Sequence, residues 1–118
     1  MAMKHYRGGC QCGAVRFGVE VDLDQTISCN CSRCGRLGSI LAFAPAAKFE
    51  LERGEEALTE YQFNKHVIHH LFCRVCGIQS FSHGTGPDGT AMAAINARCL
   101  DGVEPDALSP TKVDGRGF

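Results

Sequence analysis

The most informative part of the sequence is residues 10–22, which read CQCGAVRFGVEVD. In its second half, apolar side chains alternate with polar or small ones, which is typical of a strand with one buried face. In its first half, Cys10 and Cys12 are separated by one residue and followed by Gly13, a spacing that suits metal ligands. The stretch predicts a half-buried strand that begins beside a cysteine turn. Its core face is Val15, Phe17, Val19 and Val21.

Similar alternation, or a short apolar run, recurs through most of the chain and predicts a mainly β fold. Segments 57–63 and 66–72 are separated only by Asn64 and Lys65, which indicates a hairpin. No long window has a convincing helical period, so helix is expected only as single turns. The further predicted strands are residues 39–44, 48–52, 78–82 and 91–97, and the predicted helical turns are residues 32–37, 45–48 and 105–108.

Length and composition bound the class of protein. The 118 residues, 1–118, are predicted to form a single domain with one small core. The formal charge of −1 argues against a nucleic-acid-coating protein, which normally carries a basic face. No apolar run reaches the ~18–20 residues that span a bilayer, and the polar N-terminus has no secretory signal. We therefore expect a soluble, cytoplasmic protein with no nucleic-acid and no membrane partner.

Eight cysteines stand out in this composition. Because disulfides rarely persist in the cytoplasm, metal binding is their first expected use. In the C-x-x-C-G form two thiolates can reach one ion, and the glycine can take the positive φ that leaves the turn. Zinc fits such soft ligands best. The alternative is that these cysteines are inert buried thiols or redox pairs. A thioredoxin-type redox pair would also require a βαβ pattern, which is missing here. The three clusters are residues 10–13, 31–35 and 73–77.

The seven clustered cysteines divide into four and three, and the division matters for function. A structural zinc site is closed by four protein ligands, whereas a catalytic site keeps one position open. Spacing leaves the pairing open, because Cys31 and Cys34 could join Cys73 and Cys76 in an ordinary zinc ribbon. In the other division the groups are Cys10, Cys12, Cys73 and Cys76, and Cys29, Cys31 and Cys34.

The motifs, taken in order, resemble the glutathione-dependent formaldehyde-activating enzyme family, also called the centromere protein V type. The resemblance rests on GCQCGAVRF at 9–17, CNCSRC at 29–34, FCRVCG at 72–77 and NARCLD at 96–101, and it spans about residues 10–101. It implies a zinc-pinned, mainly β tent-type fold with two zinc ions per chain. It also implies a structural zinc on Cys10, Cys12, Cys73 and Cys76, and a catalytic zinc on Cys29, Cys31 and Cys34.

A three-thiolate zinc can accept a substrate thiol as its fourth ligand and hold it as thiolate at neutral pH. With the resemblance, this predicts a zinc-dependent carbon–sulfur lyase or synthase. It would join glutathione or another small thiol to an aldehyde such as formaldehyde, or release it. Two alternatives belong to other classes: a non-catalytic zinc module that binds a partner or buffers metal, and a reductase that uses Cys99 as nucleophile. The sequence predicts no oligomeric state.

Other side chains give weaker signals. Cys99 is isolated, which favours a small buried residue, although it could instead be a fourth ligand closing the second zinc site. His66 and His70 share a strand face opposite His69, and such histidines are more often hydrogen-bonded than metal-bound. Three arginines near the three-cysteine motif are more often surface charges, but they could meet an anionic substrate. They are Arg33, Arg36 and Arg98.

Overall fold

The computed structural model describes residues 3–63 and 67–116. Within these ranges the chain forms ten strands in two sheets, and helix is limited to α1 (Cys34–Leu37) and four 3-10 turns. The 3-10 turns are Ala46–Lys48, Glu55–Ala57, Ala97–Cys99 and Pro105–Ala107. The strands are β1 (Lys4–Gly9), β2 (Arg16–Val21), β3 (Ile27–Cys29), β4 (Leu41–Pro45), β5 (Phe49–Arg53), β6 (Leu58–Tyr61), β7 (His69–Cys73), β8 (Phe81–Thr85), β9 (Ala91–Asn96) and β10 (Thr111–Val113).

The strand order brings distant segments together. The small sheet has the order β1-β2-β5, and the large sheet has the order β10-β3-β4-β9-β8-β7-β6. Neighbouring strands are antiparallel except β10 and β3, which pair in parallel. The predicted mainly β fold with minimal helix is therefore confirmed.

The core lies between the two sheets and centres on β2. The four apolar side chains of residues 15–21 are fully buried, as the alternation predicts. The Phe17 ring stacks on Phe49 of β5, with centroids 5.3 Å apart, and meets Phe81 of β8 edge-on at 5.6 Å. Because Phe17 and Phe49 belong to the small sheet and Phe81 to the large one, these three rings pack the two sheets together.

Strands β1, β3 and β10 are not predicted by the sequence. β1 reads KHYRGG and lacks apolar alternation because it is an edge strand with Lys4 and His5 exposed. Its glycines meet a different need, close backbone approach. A Cβ at Gly8 would lie 2.4 Å from the Cys99 carbonyl oxygen, and one at Gly9 would lie 2.1 Å from the Val15 carbonyl oxygen. β3 and β10 have three residues each, too few for a period to be visible.

The predicted strand 78–82 begins only at Phe81. Residues 77–80 instead continue from the turn that follows β7, where the Gly77 N–H donates to the Cys73 carbonyl oxygen at 2.8 Å. The turn at Cys73 and Cys76 thus delays the start of β8, although the apolar pattern alone would assign residues 78–80 to a strand. This turn places two of the metal-ligand candidates at the end of β7.

The predicted hairpin is confirmed by the antiparallel pairing of β6 with β7, in which Tyr61 lies opposite His70. Its predicted turn residues, Asn64 and Lys65, lie outside the described residues, as does His66. The predicted helical turns are confirmed as α1 and the 3-10 turns at 46–48 and 105–107. The helices in the described ranges lack the length and apolar character that crossing a membrane requires.

Candidate metal centres

Four cysteines converge where the end of β1 meets the end of β7. Their sulfurs all lie within 4.8 Å of one another, and the group consists of Cys10, Cys12, Cys73 and Cys76. Cys12 Sγ lies 3.7 Å from the sulfurs of both Cys10 and Cys73. A tetrahedral zinc with Zn–S bonds of ~2.3 Å would separate its sulfurs by about 3.8 Å, whereas a disulfide needs about 2.05 Å. The four sulfurs therefore have the spacing of a metal site and not of disulfides.

Backbone groups hold both turns of this four-cysteine group. The Val15 N–H donates to Cys10 Sγ at 3.3 Å, and the Val75 N–H donates to Cys73 Sγ at 3.4 Å. Such bonds stabilise the thiolate form that a metal binds. Each turn is followed by a glycine with positive φ, +84° at Gly13 and +81° at Gly77. The expected role of glycine in leaving the turn is confirmed at these two positions.

The remaining clustered cysteines form a second group within one six-residue loop. The sulfurs of Cys29, Cys31 and Cys34 lie within 4.8 Å of one another, and all three residues are half-buried. Cys29 ends β3 and Cys34 begins α1. The Cys31 N–H donates to Cys29 Sγ at 3.4 Å, and the Cys34 N–H donates to Cys31 Sγ at 3.3 Å. This three-cysteine group could supply three of the four sulfur ligands of a tetrahedral metal site, and no cysteine of the group supplies the fourth.

Gly35 does not behave like Gly13 and Gly77. Its N–H donates to the Cys31 carbonyl oxygen at 2.9 Å, which continues the backbone into α1. The left-handed residue is Gly38, at φ +72°, which ends that helix. The expectation that all three cysteine clusters leave their turn through the adjacent glycine is therefore wrong at Gly35. Here the chain leaves the ligand loop as a helix, and the glycine that terminates it comes three residues later.

The three-cysteine loop is also bound to the end of the chain. The Asn30 side-chain oxygen accepts from the Gly115 N–H at 2.7 Å, and the Asn30 N–H donates to the Val113 carbonyl oxygen at 3.3 Å.

Burial and the neighbouring sulfur of Cys31 raise the pKa of the Cys34 thiol to about 12. Three thiolates within 4.8 Å of one another repel, so the charged form of the group requires a cation beside it, and the donor set fits a soft divalent metal.

Cys99 belongs to neither group. It is half-buried at the end of a 3-10 turn, and burial raises its pKa to about 11, with Cys10 and Cys76 adding to the shift. Both of these cysteines are members of the four-cysteine group. The structure does not place Cys99 Sγ with Cys29, where it would need to be to close the second site.

His69 and His70 have hydrogen-bond partners, and none of the described histidines belongs to either cysteine group. The His69 Nδ1 lies 2.8 Å from a Glu60 carboxylate oxygen. His70 is buried, its Nδ1 lies 3.5 Å from the Gln79 amide nitrogen, and burial lowers its pKa, with Arg33 contributing.

A cavity of about 380 Å³ opens beside the three-cysteine loop. Its walls come from the loop and α1 on one side and from the β6 end of the large sheet on the other. The lining residues are Ser32, Arg33, Arg36, Leu37, Tyr61 and Phe63. We call this space the loop cavity. Two of the three arginines singled out in the sequence, Arg33 and Arg36, therefore line one space next to the second cysteine group.

The third arginine, Arg98, lies elsewhere. It donates through Nε to the Gly38 carbonyl oxygen at 3.3 Å and lines a separate cavity of about 460 Å³ that also contacts Cys10 and Cys99. The sequence gives no signal for Gln79, which binds Arg33, because it lies outside every cysteine motif. Only the fold brings it to the loop.

The structure is that of a small, mainly β protein with two cysteine groups that could each hold a metal ion. It therefore belongs to the class of candidate metal-binding β domains. A family model described as "Glutathione-dependent formaldehyde-activating enzyme" matches residues 5–114. This chain belongs to that family, as the resemblance in the sequence predicts. It is also similar to a Rhodobacter sphaeroides protein of known crystal structure, with 35% identity and a TM-score of 0.81. That match covers 90% of this chain and 97% of the other.

Proposed function

We propose that this protein is a zinc-dependent enzyme that joins a small thiol to an aldehyde such as formaldehyde, or catalyses the reverse carbon–sulfur cleavage. The observation that carries the proposal is the three-cysteine group. It offers three half-buried sulfurs within 4.8 Å, backbone donors to two of them, and no fourth cysteine in the group among the described residues. That is the donor set of an open site and not of a closed structural one.

In this proposal the two groups have different roles. Cys10, Cys12, Cys73 and Cys76 hold a structural zinc that pins the two sheets of a tent-type domain spanning residues 1–118. Cys29, Cys31 and Cys34 hold the catalytic zinc. A cytoplasmic location, where these thiols stay reduced, remains part of the same hypothesis.

Cys29, Cys31 and Cys34 would hold the zinc, and the chemistry that the metal would supply is to keep a substrate thiol deprotonated at neutral pH. The backbone donors at Cys31 and Cys34 stabilise negative charge on the protein sulfurs and fix the loop around them. In the addition, the substrate sulfur forms a bond to the aldehyde carbon, and the carbon–oxygen π pair moves to oxygen. The proton released by the thiol ends on that oxygen, giving an S-hydroxyalkyl product. Cleavage runs through the same steps in reverse.

Metal content tests the two-site proposal directly. We expect protein purified without chelator, and with its cysteines reduced, to contain close to two zinc ions per chain. Elemental analysis before and after dialysis against zinc measures this. A value of one that added zinc does not raise would contradict the second site. Two zinc ions without turnover of any thiol and formaldehyde pair would favour the non-catalytic module instead.

Cys99→Ser separates the proposed reaction from a reductase that uses Cys99 as its nucleophile. We expect the variant to keep both zinc ions and its rate with thiol and formaldehyde within about twofold, because Cys99 Sγ belongs to neither group and serine preserves the side-chain volume. The measurements are metal content and initial rate against the spontaneous background. Loss of activity with both zinc ions retained would favour the reductase.

A further inference from the structure

We propose that the loop cavity binds a carboxylate carried by the thiol substrate, with Arg33 as the main anchor and Gln79 as the residue that positions it. The inference rests on the proposed function, because it assigns the part of the substrate that lies beyond the sulfur. It selects carboxylate-bearing thiols over uncharged ones of the same length. Ser32 and Arg33, which lie between Cys31 and Cys34 in the sequence, both line this cavity, so the cavity adjoins the loop that would hold the thiol.

The guanidinium of Arg33 is held in one orientation. Its Nε and Nη2 both donate to Gln79 Oε1, with a distance of 3.2 Å for Nε. Its central carbon lies 4.7 Å from the centroid of the Tyr61 ring. One edge of the planar group is thus occupied by the amide, and one face is covered by the aromatic ring. The edge formed by Nη1 and Nη2 retains N–H donors in the parallel arrangement that a carboxylate accepts.

Among the described residues, no carboxylate uses that edge. Within residues 3–63 and 67–116, neither Arg33 nor Arg36 forms an ion pair with Asp or Glu, whereas Arg7, Arg16 and Arg116 each do. Arg36 donates through Nη1 to the Ser32 carbonyl oxygen at 2.8 Å and lines the same cavity. Two guanidinium groups without an acidic partner give this space a positive potential that favours an anion.

Gln79 is buried, with 8% of its surface exposed. Its side-chain amide is oriented by His70, which lies on the side away from Arg33. Its amide nitrogen lies 3.5 Å from His70 Nδ1, which therefore accepts, and its amide oxygen faces Arg33. The His70 ring stacks on Phe63 at 5.2 Å, and Phe63 stacks on Tyr61 at 5.9 Å. The amide and two aromatic rings thus form a packed support behind Arg33. The rings also provide an apolar wall for the methylene groups between sulfur and carboxylate.

The test compares two thiols of equal length, 3-mercaptopropionate and its neutral amide, 3-mercaptopropionamide. Their dissociation constants are measured from the absorption spectrum of the cobalt-substituted protein. We expect the acid to bind about tenfold more tightly than the amide, the scale of a charge-assisted hydrogen bond at a partly exposed site. In Arg33→Met this preference should fall to about one. Arg74→Met is the matched control, since it removes an exposed arginine from the loop of the other cysteine group, and it should keep the full preference.

Gln79→Glu tests the positioning role at nearly constant volume. The new carboxylate would pair with Arg33 and take its charge, so the preference for the acid should disappear while the amide still binds. For every variant, unchanged metal content and thermal melting show that the protein has folded. Arg33→Lys is a milder replacement that keeps the positive charge, and it should keep part of the preference for the acid.

The outcomes separate the two proposals. If both thiols bind equally, or if the preference survives Arg33→Met or is lost in Arg98→Met instead, the carboxylate site is overturned and the proposed function stands. If neither thiol changes the cobalt spectrum, the proposed function fails and this inference fails with it.

Discussion

Replacing Cys76 with alanine should abolish cooperative folding. Cys76 is half-buried, so its replacement creates little cavity in the core and isolates the loss of one proposed metal ligand. A structural zinc in a small domain contributes apparent binding free energy of about 10–16 kcal/mol, which matches or exceeds the ~5–15 kcal/mol that stabilises a typical protein. We expect thermal unfolding followed by circular dichroism to show no cooperative transition for Cys76→Ala.

Val75→Ala is the matched control for this experiment. Val75 lies in the same turn and is 69% exposed, so the variant should melt close to the parent protein. A Cys76→Ala protein that melts cooperatively near the parent temperature would contradict a structural role for the four-cysteine group.

Replacing Cys31 with serine should have the opposite profile, with function lost and the fold kept. The three-cysteine loop is local in sequence, and its backbone remains anchored through Asn30 to Val113 and Gly115. We expect zinc content to fall from two ions to one, and catalysis above the spontaneous background to fall by more than the ~10–100-fold that losing even an outer-shell partner costs. Metal analysis, initial rates and thermal melting together measure this.

Ser32→Ala provides the comparison for Cys31→Ser. The Ser32 side chain is exposed, and the bond that Arg36 makes to this residue goes to its backbone carbonyl, which alanine keeps. The control should retain both zinc ions and the parent melting temperature, because the Ser32 side chain contributes no sulfur to the group. Activity that survives in Cys31→Ser at the parent level would remove the three-cysteine group from the proposed reaction.

The core could be predicted from the sequence wherever burial imposes a period. The alternation of residues 15–21 identifies β2 correctly, because one face of this strand packs against the large sheet. β1 could not be identified in the same way. It lies at a sheet edge, and its glycines are required by approaches to Val15 and Cys99 that depend on the finished fold.

In the candidate site, too, local features could be predicted from the sequence, whereas contacts between distant segments could not. Local spacing is enough to indicate that Cys29, Cys31 and Cys34 can share an ion. It could not decide which cysteines join Cys10, because that depends on β1 and β7 ending at the same place. The family resemblance implies the grouping of sulfurs that the structure shows, and their binding of zinc stays a prediction. Gln79 and Phe63 could not be found from motifs, since their roles come from contacts with Arg33 and His70.

The four-cysteine group joins residues 61 positions apart, Cys12 and Cys73, whereas the three-cysteine group is complete within one loop. During synthesis on the ribosome, the loop of Cys29, Cys31 and Cys34 is therefore finished long before Cys76 has been added. In the two-zinc proposal, the first ion could therefore bind at that loop early, whereas the second could be enclosed only after a large segment of chain has closed on itself. Binding of the second ion would then be coupled to assembly of both sheets, and a shortage of zinc during translation would leave the scaffold unformed.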